Sequence, residues 1–69
     1  MNEEPIKTFL NEDVVLLFDV GNNYTYTYRG LLTEVCEDHT TIQDKKLGQL
    51  ILSNSNIIQI SKANGGKYG

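Results

Sequence analysis

Short apolar segments separated by turn-forming residues follow one another along most of the chain. Residues 14–18 are five consecutive apolar side chains, a run too short for a helix and rich in residues that favour strands. Tyr24, Tyr26 and Tyr28 then alternate with polar residues, the period of a strand. Glycine and asparagine clusters lie between the segments. The pattern predicts five strands, at residues 13–20, 24–35, 40–44, 49–52 and 57–61.

The segment before the first strand, residues 2–11, has the pattern of a short helix. Pro5 suits a first helical turn, and Ile6, Phe9 and Leu10 recur at the spacing of one helical face. Two or three turns are not stable alone in water, so this helix must lie on another part of the molecule. We expect it to cover one end of a barrel.

Two features predict that the strands form a small barrel. Gly30 interrupts the second strand, where a glycine marks a bulge, a sharp bend or a close backbone approach, and a strongly bent strand is what a small barrel needs. The run 14–18 is apolar on both strand faces, so its second face needs a cover from the helix or another subunit. The predicted fold is mainly β, a short N-terminal helix and then a five-stranded, strongly bent antiparallel sheet forming a small SH3-like barrel. The barrel domain covers residues 1–62, and residues 63–69 form a flexible C-terminal tail.

Size and cysteine content point to partner chains as a source of stability. The chain has 69 residues, of which 39% are apolar, so it forms one domain with a thin core. Cys36 is the only cysteine, which excludes an intrachain disulfide. Cys36 and His39 are the only thiol and imidazole ligands, which excludes a structural zinc site within one chain, and no cofactor is expected.

The net charge is −3, from 6 basic and 9 acidic residues. This balance argues against a protein that coats nucleic acid or an anionic membrane by bulk electrostatics, although a local site in an oligomer stays possible. No apolar run has the roughly 18 residues of a membrane span, and no signal peptide opens the chain. A lone free thiol suits a reducing compartment, which predicts a cytoplasmic protein.

The element order and two motifs together resemble the Sm-like family, the Lsm and Hfq group. Residues 28–32, Tyr-Arg-Gly-Leu-Leu, match the aromatic-basic-Gly-x-Leu run of the family's bent second strand. Residues 51–60, Ile-Leu-Ser-Asn-Ser-Asn-Ile-Ile-Gln-Ile, keep the apolar steps and the asparagine of its second motif. Pro5 and Gly21 also fall at matching places. The similarity covers residues 5–61.

The resemblance implies an Sm-like barrel whose subunits join through strands four and five into a homo-oligomeric ring, with about five to seven members expected. It also implies that short single-stranded RNA binds at the inner rim of the ring. A ring scaffold for protein assembly that has lost RNA binding is the alternative, and a monomeric SH3-like module that binds peptides is a third.

The residues that would contact RNA depend on the register after Gly30. Direct counting places the family's Asp and Asn positions at Cys36 and Thr40. An insertion of one residue gives Glu37, His39 and Thr41 instead, and we prefer it because it keeps Ile42 on the core face. The predicted RNA-binding residues are Glu37, His39, Thr41, Ser53, Asn54 and Ser55.

Several residues depart from the family pattern or have a simpler explanation. Ser53-Asn54 replaces the Arg-Gly of the second motif, which removes a charge that would hold a phosphate. His39 can stack on a base, or it can be an ordinary loop histidine. The tyrosines of the second strand fit a core or a subunit interface better than base stacking. Cys36 and His39 have the chemistry of a nucleophile and base but no pocket, so we do not expect an enzyme.

Overall fold

The computed structural model describes residues 1–63. It contains one short helix, five strands and a single turn of 3-10 helix that we call the corner. Their bounds are α1 Glu3–Lys7, β1 Asp13–Gly21, β2 Tyr24–Val35, β3 His39–Asp44, β4 Gly48–Ser53, the corner Asn54–Asn56 and β5 Ile57–Lys62. All five predicted strands are confirmed, and no predicted bound differs from the observed one by more than one residue. Of the predicted tail, Ala63 donates its backbone N–H to Asp13 O at 2.9 Å, and the rest lies outside the described residues.

The helix is shorter than predicted. After Lys7 the chain continues as turns, in which Phe9 N donates to Ile6 O at 3.0 Å and Asn11 has a left-handed φ of 69°. Ile6 is fully buried and Phe9 packs against the core, whereas Leu10 is exposed. The predicted apolar face therefore holds for Ile6 and for Phe9, although Phe9 follows the end of the helix, and it does not hold for Leu10.

The strands form one antiparallel sheet in the order β4-β3-β2-β1-β5. Its core consists of seven buried apolar residues: Ile6, Val14, Leu16, Leu32, Ile42, Leu52 and Ile57. Ile42 is fully buried, so it lies on the core face as the preferred register expects, and a β-bulge at Thr33 places one extra residue on β2.

The prediction of a closed barrel is wrong for this chain. In the described residues, β4 pairs only with β3 and β5 pairs only with β1, so each is an edge of an open sheet. The physical reason lies in the corner, which contacts both β3 and β1 and carries the chain from one edge of the sheet to the other. The two edges consequently approach each other at the corner without forming a ladder.

Gly30 lies next to the point where β2 changes its partner strand. Residues 24–31 pair with β1 and residues 31–35 pair with β3, so the strand changes partner at Leu31. A Cβ atom added to Gly30 would lie 2.5 Å from the Gln43 backbone oxygen, a distance that real Cβ atoms do not reach. The expectation of a close backbone approach at Gly30 is confirmed.

The first strand is buried on one face and half-buried on the other. Val14 and Leu16 are fully buried, whereas Val15 and Leu17 point to the opposite face and are half-buried. The second cover that the sequence demands is therefore incomplete in the single chain.

Candidate functional site

Most of the predicted site residues lie where the β2–β3 turn meets the corner. The turn, Cys36 to His39, is closed by a hydrogen bond from Cys36 N to His39 O at 2.8 Å. The corner is joined to it by a hydrogen bond from Asn54 N to Asp38 O at 3.0 Å. Both segments follow directly from strand pairing, because His39 at the start of β3 lies opposite Ser53 at the end of β4. The fold thus brings two distant parts of the sequence into one site.

Asn54 is the structural centre of this region. Its side chain is only 3% exposed, and its Oδ1 accepts from Thr40 Oγ1 at 2.5 Å. Its Nδ2 donates to Cys36 O at 2.9 Å and to Glu37 O at 3.2 Å. An amide has two donor hydrogens, so both are already used. A base edge would have to displace one of these bonds, and the geometry therefore assigns Asn54 to holding the turn against the corner.

Thr41 is also buried. It is 3% exposed, and its backbone oxygen accepts from Thr33 Oγ1 at 3.2 Å across the bulge. Its neighbours Thr40 and Ile42 are buried as well, so this whole stretch of β3 belongs to the interior. A Thr41 contact with RNA would need a local rearrangement of β3.

The other four predicted residues are accessible at the same end of the molecule. Glu37, Ser53 and Ser55 are exposed, and the His39 side chain is 39% exposed. Ser53 Oγ and Ser55 Oγ are 3.0 Å apart, so the two hydroxyls share a hydrogen bond. These side chains offer hydrogen-bonding groups and one aromatic ring but no fixed positive charge.

The cleft beside these residues is acidic. It has a volume of about 640 Å³, and among its lining residues are four carboxylates, those of Glu3, Glu4, Glu37 and Asp38. No lysine or arginine of the described chain lines it. Carboxylates repel phosphate, so the electrostatics of this cleft oppose the binding of a nucleic-acid backbone.

The imidazole of His39 is held by its neighbour. Asp38 Oδ1 lies 2.7 Å from His39 Nδ1, and this hydrogen bond lowers the pKa of Asp38 below its ordinary value, helped by a backbone hydrogen bond. An ionised carboxylate only accepts hydrogen bonds, so Nδ1 carries a proton, and in the neutral imidazole Nε2 has the lone pair. The hydrogen bond thus orients the ring, with Nε2 as the acceptor nitrogen of the neutral form.

Cys36 lies next to this ring in a negative environment. Partial burial is the main cause that raises the pKa of the Cys36 thiol, and the carboxylates of Glu34, Asp38 and Glu3 add to it. Reactive cysteines lie in electropositive surroundings that lower this pKa. The surroundings of Cys36 thus disfavour a nucleophilic thiolate in the metal-free chain.

The structure also places a third potential ligand at this point, which the sequence reasoning missed. Ligand atoms of Glu34, Cys36 and His39 all lie within 4.8 Å of one another. The sequence argument against zinc counted only the thiol and the imidazole. The signal that could have found the group is the i, i+2 spacing of Glu34 and Cys36, which places both on one face of a strand.

A second cleft, of about 690 Å³, is lined mainly by β2 and the turn between β3 and β4, and it carries basic residues. Arg29, Lys45 and Lys46 line it together with Asp13 and Asp44. Arg29 Nη2 is 3.2 Å from Asp13 Oδ2, so the two side chains form an ion pair between β2 and β1. Asp44 Oδ1 accepts from the backbone N–H groups of Lys46 and Leu47, so this carboxylate caps the turn, and these bonds lower its pKa.

The tyrosines of β2 divide between core and solvent. Tyr28 packs against the core and meets Phe18 edge to face, with ring centroids 5.8 Å apart. Tyr26 lies 4.7 Å from Tyr28 but is 52% exposed, and Tyr24 is 70% exposed. The expectation of a core role is confirmed for Tyr28 alone.

The two edges of the sheet are the most apolar exposed features near the site. Ile51 on β4 is 66% exposed, and Ile58 on β5 is 50% exposed. Both strands have six residues and no proline. The one charge on either strand, Lys62 at the end of β5, is 3.0 Å from Glu12. Proteins that remain monomeric usually protect such edges with charges, prolines or bulges.

Comparisons with protein-family models, with curated proteins and with solved structures find no match for this chain. The Sm-like family accordingly stays a prediction from the motif residues. Within residues 1–63, no helix has the length and apolar character needed to cross a bilayer.

Proposed function

We propose that the chain assembles with copies of itself through its two open sheet edges, and that this assembly acts as an Sm-like ring scaffold for other proteins. The observation that carries the proposal is the pair of open, equally long edge strands, β4 and β5. Strand β4 has no charge, proline or bulge, and β5 has one irregularity in its pairing with β1, at Ile58. Each has unpaired backbone groups on its outer side and one exposed isoleucine. Pairing β4 of one copy with β5 of the next would satisfy both edges at once.

The contact would be heterologous, because two different strands meet. Such a contact repeats around a ring if its rotation closes, and about five to seven copies would suit the family that the motifs resemble. Assembly would also add a second source of stability to a core of only seven buried apolar residues. A cytoplasmic location fits the free thiol of Cys36.

The role as a scaffold follows from the charge at the site. The cleft at the β2–β3 turn is lined by four carboxylates, and Asn54 is buried with its donors in use. Both features oppose the binding of phosphates and bases at this position. An acidic rim repeated around a ring would instead favour a basic protein segment.

The assembly is tested with charged substitutions at the edges. Ile51→Lys and Ile58→Lys place a charge on β4 and β5, and each should convert the oligomer to smaller species in size-exclusion chromatography with light scattering. Val20→Lys is the matched control, because Val20 is 53% exposed on the β1–β2 hairpin, away from both edges. Equal association of all three variants would contradict the proposed contact.

Binding of single-stranded RNA at the inner rim is the second candidate function. It is favoured by the exposure of His39, Ser53 and Ser55 at one end of the molecule, where a ring would repeat them. Fluorescence anisotropy with a labelled oligouridine at low salt separates the two functions. The scaffold proposal predicts no binding, whereas binding that His39→Ala abolishes and that Tyr24→Ala leaves intact would replace it with the RNA function.

A further inference from the structure

Three different metal-binding side chains converge where β2 passes into β3. Glu34, Cys36 and His39 each offer one ligand atom, and all of these atoms lie within 4.8 Å of one another. Bond lengths of about 2.0–2.3 Å place two ligand atoms of a tetrahedral zinc about 3.5 Å apart. Side-chain movements on the order of 1 Å would therefore allow the three atoms to coordinate one ion.

The convergence follows from the strand geometry. Glu34 lies in β2 and Cys36 directly follows its end, so the two-residue spacing of a continuing strand places their side chains on one side. Cys36 pairs with His39 across the turn through its backbone N–H, and side chains of directly opposed residues are neighbours. The turn itself is held by Asn54, so the group lies on a fixed piece of backbone.

His39 is already oriented for coordination. Its Nδ1 is hydrogen-bonded to Asp38 Oδ1 at 2.7 Å, so coordination through Nε2 would keep this bond. Metal-bound histidines usually donate their other ring N–H to a carboxylate or a carbonyl, and this partner fixes the tautomer and the ring orientation. Asp38 lies in that position, outside the group of three ligands.

We propose that Glu34, Cys36 and His39 bind one Zn²⁺ ion per chain, with water in the fourth position and Asp38 as the residue that positions His39. A thiol, an imidazole and a carboxylate are the ligand types of zinc, whereas calcium and magnesium prefer oxygen ligands alone. On binding, Cys36 releases its proton to solvent and coordinates as the thiolate. The carboxylates of Glu34, Asp38 and Glu3 lie close enough to Cys36 to attract the cation.

The site requires neither the ring nor RNA. All three ligands come from one chain, so the proposal is independent of the assembly and can be tested on the monomeric edge variant Ile51→Lys as well. A bound zinc would also hold the His39 ring, which the RNA function would use to stack on a base. Zinc and oligouridine should then compete in any experiment that shows both.

Cobalt titration of the reduced full-length chain tests the site directly. Tetrahedral Co²⁺ with one thiolate should give d–d bands in the visible and a sulfur-to-cobalt band in the near ultraviolet, and Zn²⁺ should remove both with one equivalent per chain. Cys36→Ser should abolish the sulfur band. Glu34→Gln and His39→Ala should each weaken cobalt binding, with at least about a tenfold loss expected.

Two neighbouring carboxylates separate specific coordination from general attraction. Asp38→Asn should weaken cobalt affinity by about 10- to 100-fold, because the partner of His39 changes. Glu37→Gln removes the same charge one residue away from Asp38, outside the three ligands, and should leave the affinity within about twofold of the unchanged chain. Thermal unfolding of each metal-free variant checks that the fold is intact.

Three outcomes would overturn the proposal. The first is the absence of a sulfur-to-cobalt band in the reduced chain. The second is a band that survives Cys36→Ser. The third is an equal loss of affinity for Glu37→Gln and Glu34→Gln, since cobalt would then respond to surface charge rather than to a defined set of ligands.

Discussion

The corner and the two sheet edges differ in how completely their polar groups are hydrogen-bonded within the chain. At the corner, Asn54 uses its amide oxygen and both amide hydrogens within the chain, and in residues 1–63 no buried side-chain nitrogen or oxygen lacks a partner. At the edges, β4 and β5 each have a neighbour on one side only. A region whose hydrogen bonds are complete stabilises the chain, whereas a region with open backbone groups and exposed isoleucines is available to a partner.

This difference between the corner and the edges changes which residues are assigned a functional role. The corner contains Asn54, one of the predicted RNA-binding residues, yet its side chain is buried and holds the turn. Apart from Ser53 at the end of β4, the edges contain no predicted site residue, yet they are the surfaces whose backbone groups the single chain leaves unpaired. Whether the polar groups have hydrogen-bond partners therefore distinguishes the corner from the edges better than residue type does.

The largest expected effect comes from mixing two edge variants. Ile51→Lys blocks β4 and keeps β5 open, and Ile58→Lys does the reverse. If β4 pairs with β5, the two variants together should form a heterodimer, while each alone stays monomeric. Native mass spectrometry of the mixture measures this. A dimer of either variant alone would instead mean that like edges pair with like, and the head-to-tail contact would be wrong.

The next effect breaks the corner. Asn54→Ala leaves Thr40 Oγ1, Cys36 O and Glu37 O without their partner, and the free energy of unfolding should fall by about 3 kcal/mol. Urea unfolding at one fixed chain concentration measures the loss, with exposed Ser55→Ala as the control, expected within about 0.5 kcal/mol of the unchanged chain. An unchanged stability for Asn54→Ala would show that the corner does not depend on this side chain.

A smaller effect is expected at the bend of β2. Gly30→Ala would push a methyl group against the Gln43 backbone oxygen, and the strands must separate to admit it. The expected loss in the free energy of unfolding is about 1–3 kcal/mol. Thr25→Ala on the same strand is exposed and should change stability by less than about 0.5 kcal/mol. Similar values for both variants would contradict the close approach at Gly30.

The smallest effect is a loss of stability at low pH. Backbone hydrogen bonds from Leu47 and Lys46 lower the pKa of Asp44 below its ordinary value of 3.8. A carboxyl whose folded pKa is depressed stabilises the fold at pH values above 3.8, and this contribution is lost as the pH falls through the lower, folded pKa. An NMR titration of the Asp44 carboxyl carbon should give a midpoint below 3.8, and a midpoint at or above that value would show that the turn does not hold the carboxylate.

The local features of the fold were predictable from the sequence because short-range patterns encode them. Asn22 and Asn23 both adopt left-handed backbone conformations at the β1–β2 turn, as their residue types indicate. The register of β3 followed from Ile42, since a shift of one residue would expose it. Closure of the sheet was not predictable in this way, because it depends on where the corner directs β5.

The site was predicted less completely, for a physical reason. A motif position says which residue types occur, but it does not say whether a side chain is already satisfied. Asn54 and Thr41 are predicted site residues, yet both are buried. Glu34 is not among the predicted residues, yet its carboxylate lies near the ligand atoms of Cys36 and His39. Burial and cross-strand proximity emerge only when the strands are paired, so this part of the site needed the structure.

Native mass spectrometry of the unmodified chain tests the central claim most directly. Assembly through β4 and β5 predicts one closed multimer of a single size, since a ring leaves no edge open. A spectrum that contains only the 7.8 kDa monomer at micromolar concentration would contradict the account, because both edges would then remain unpaired in solution.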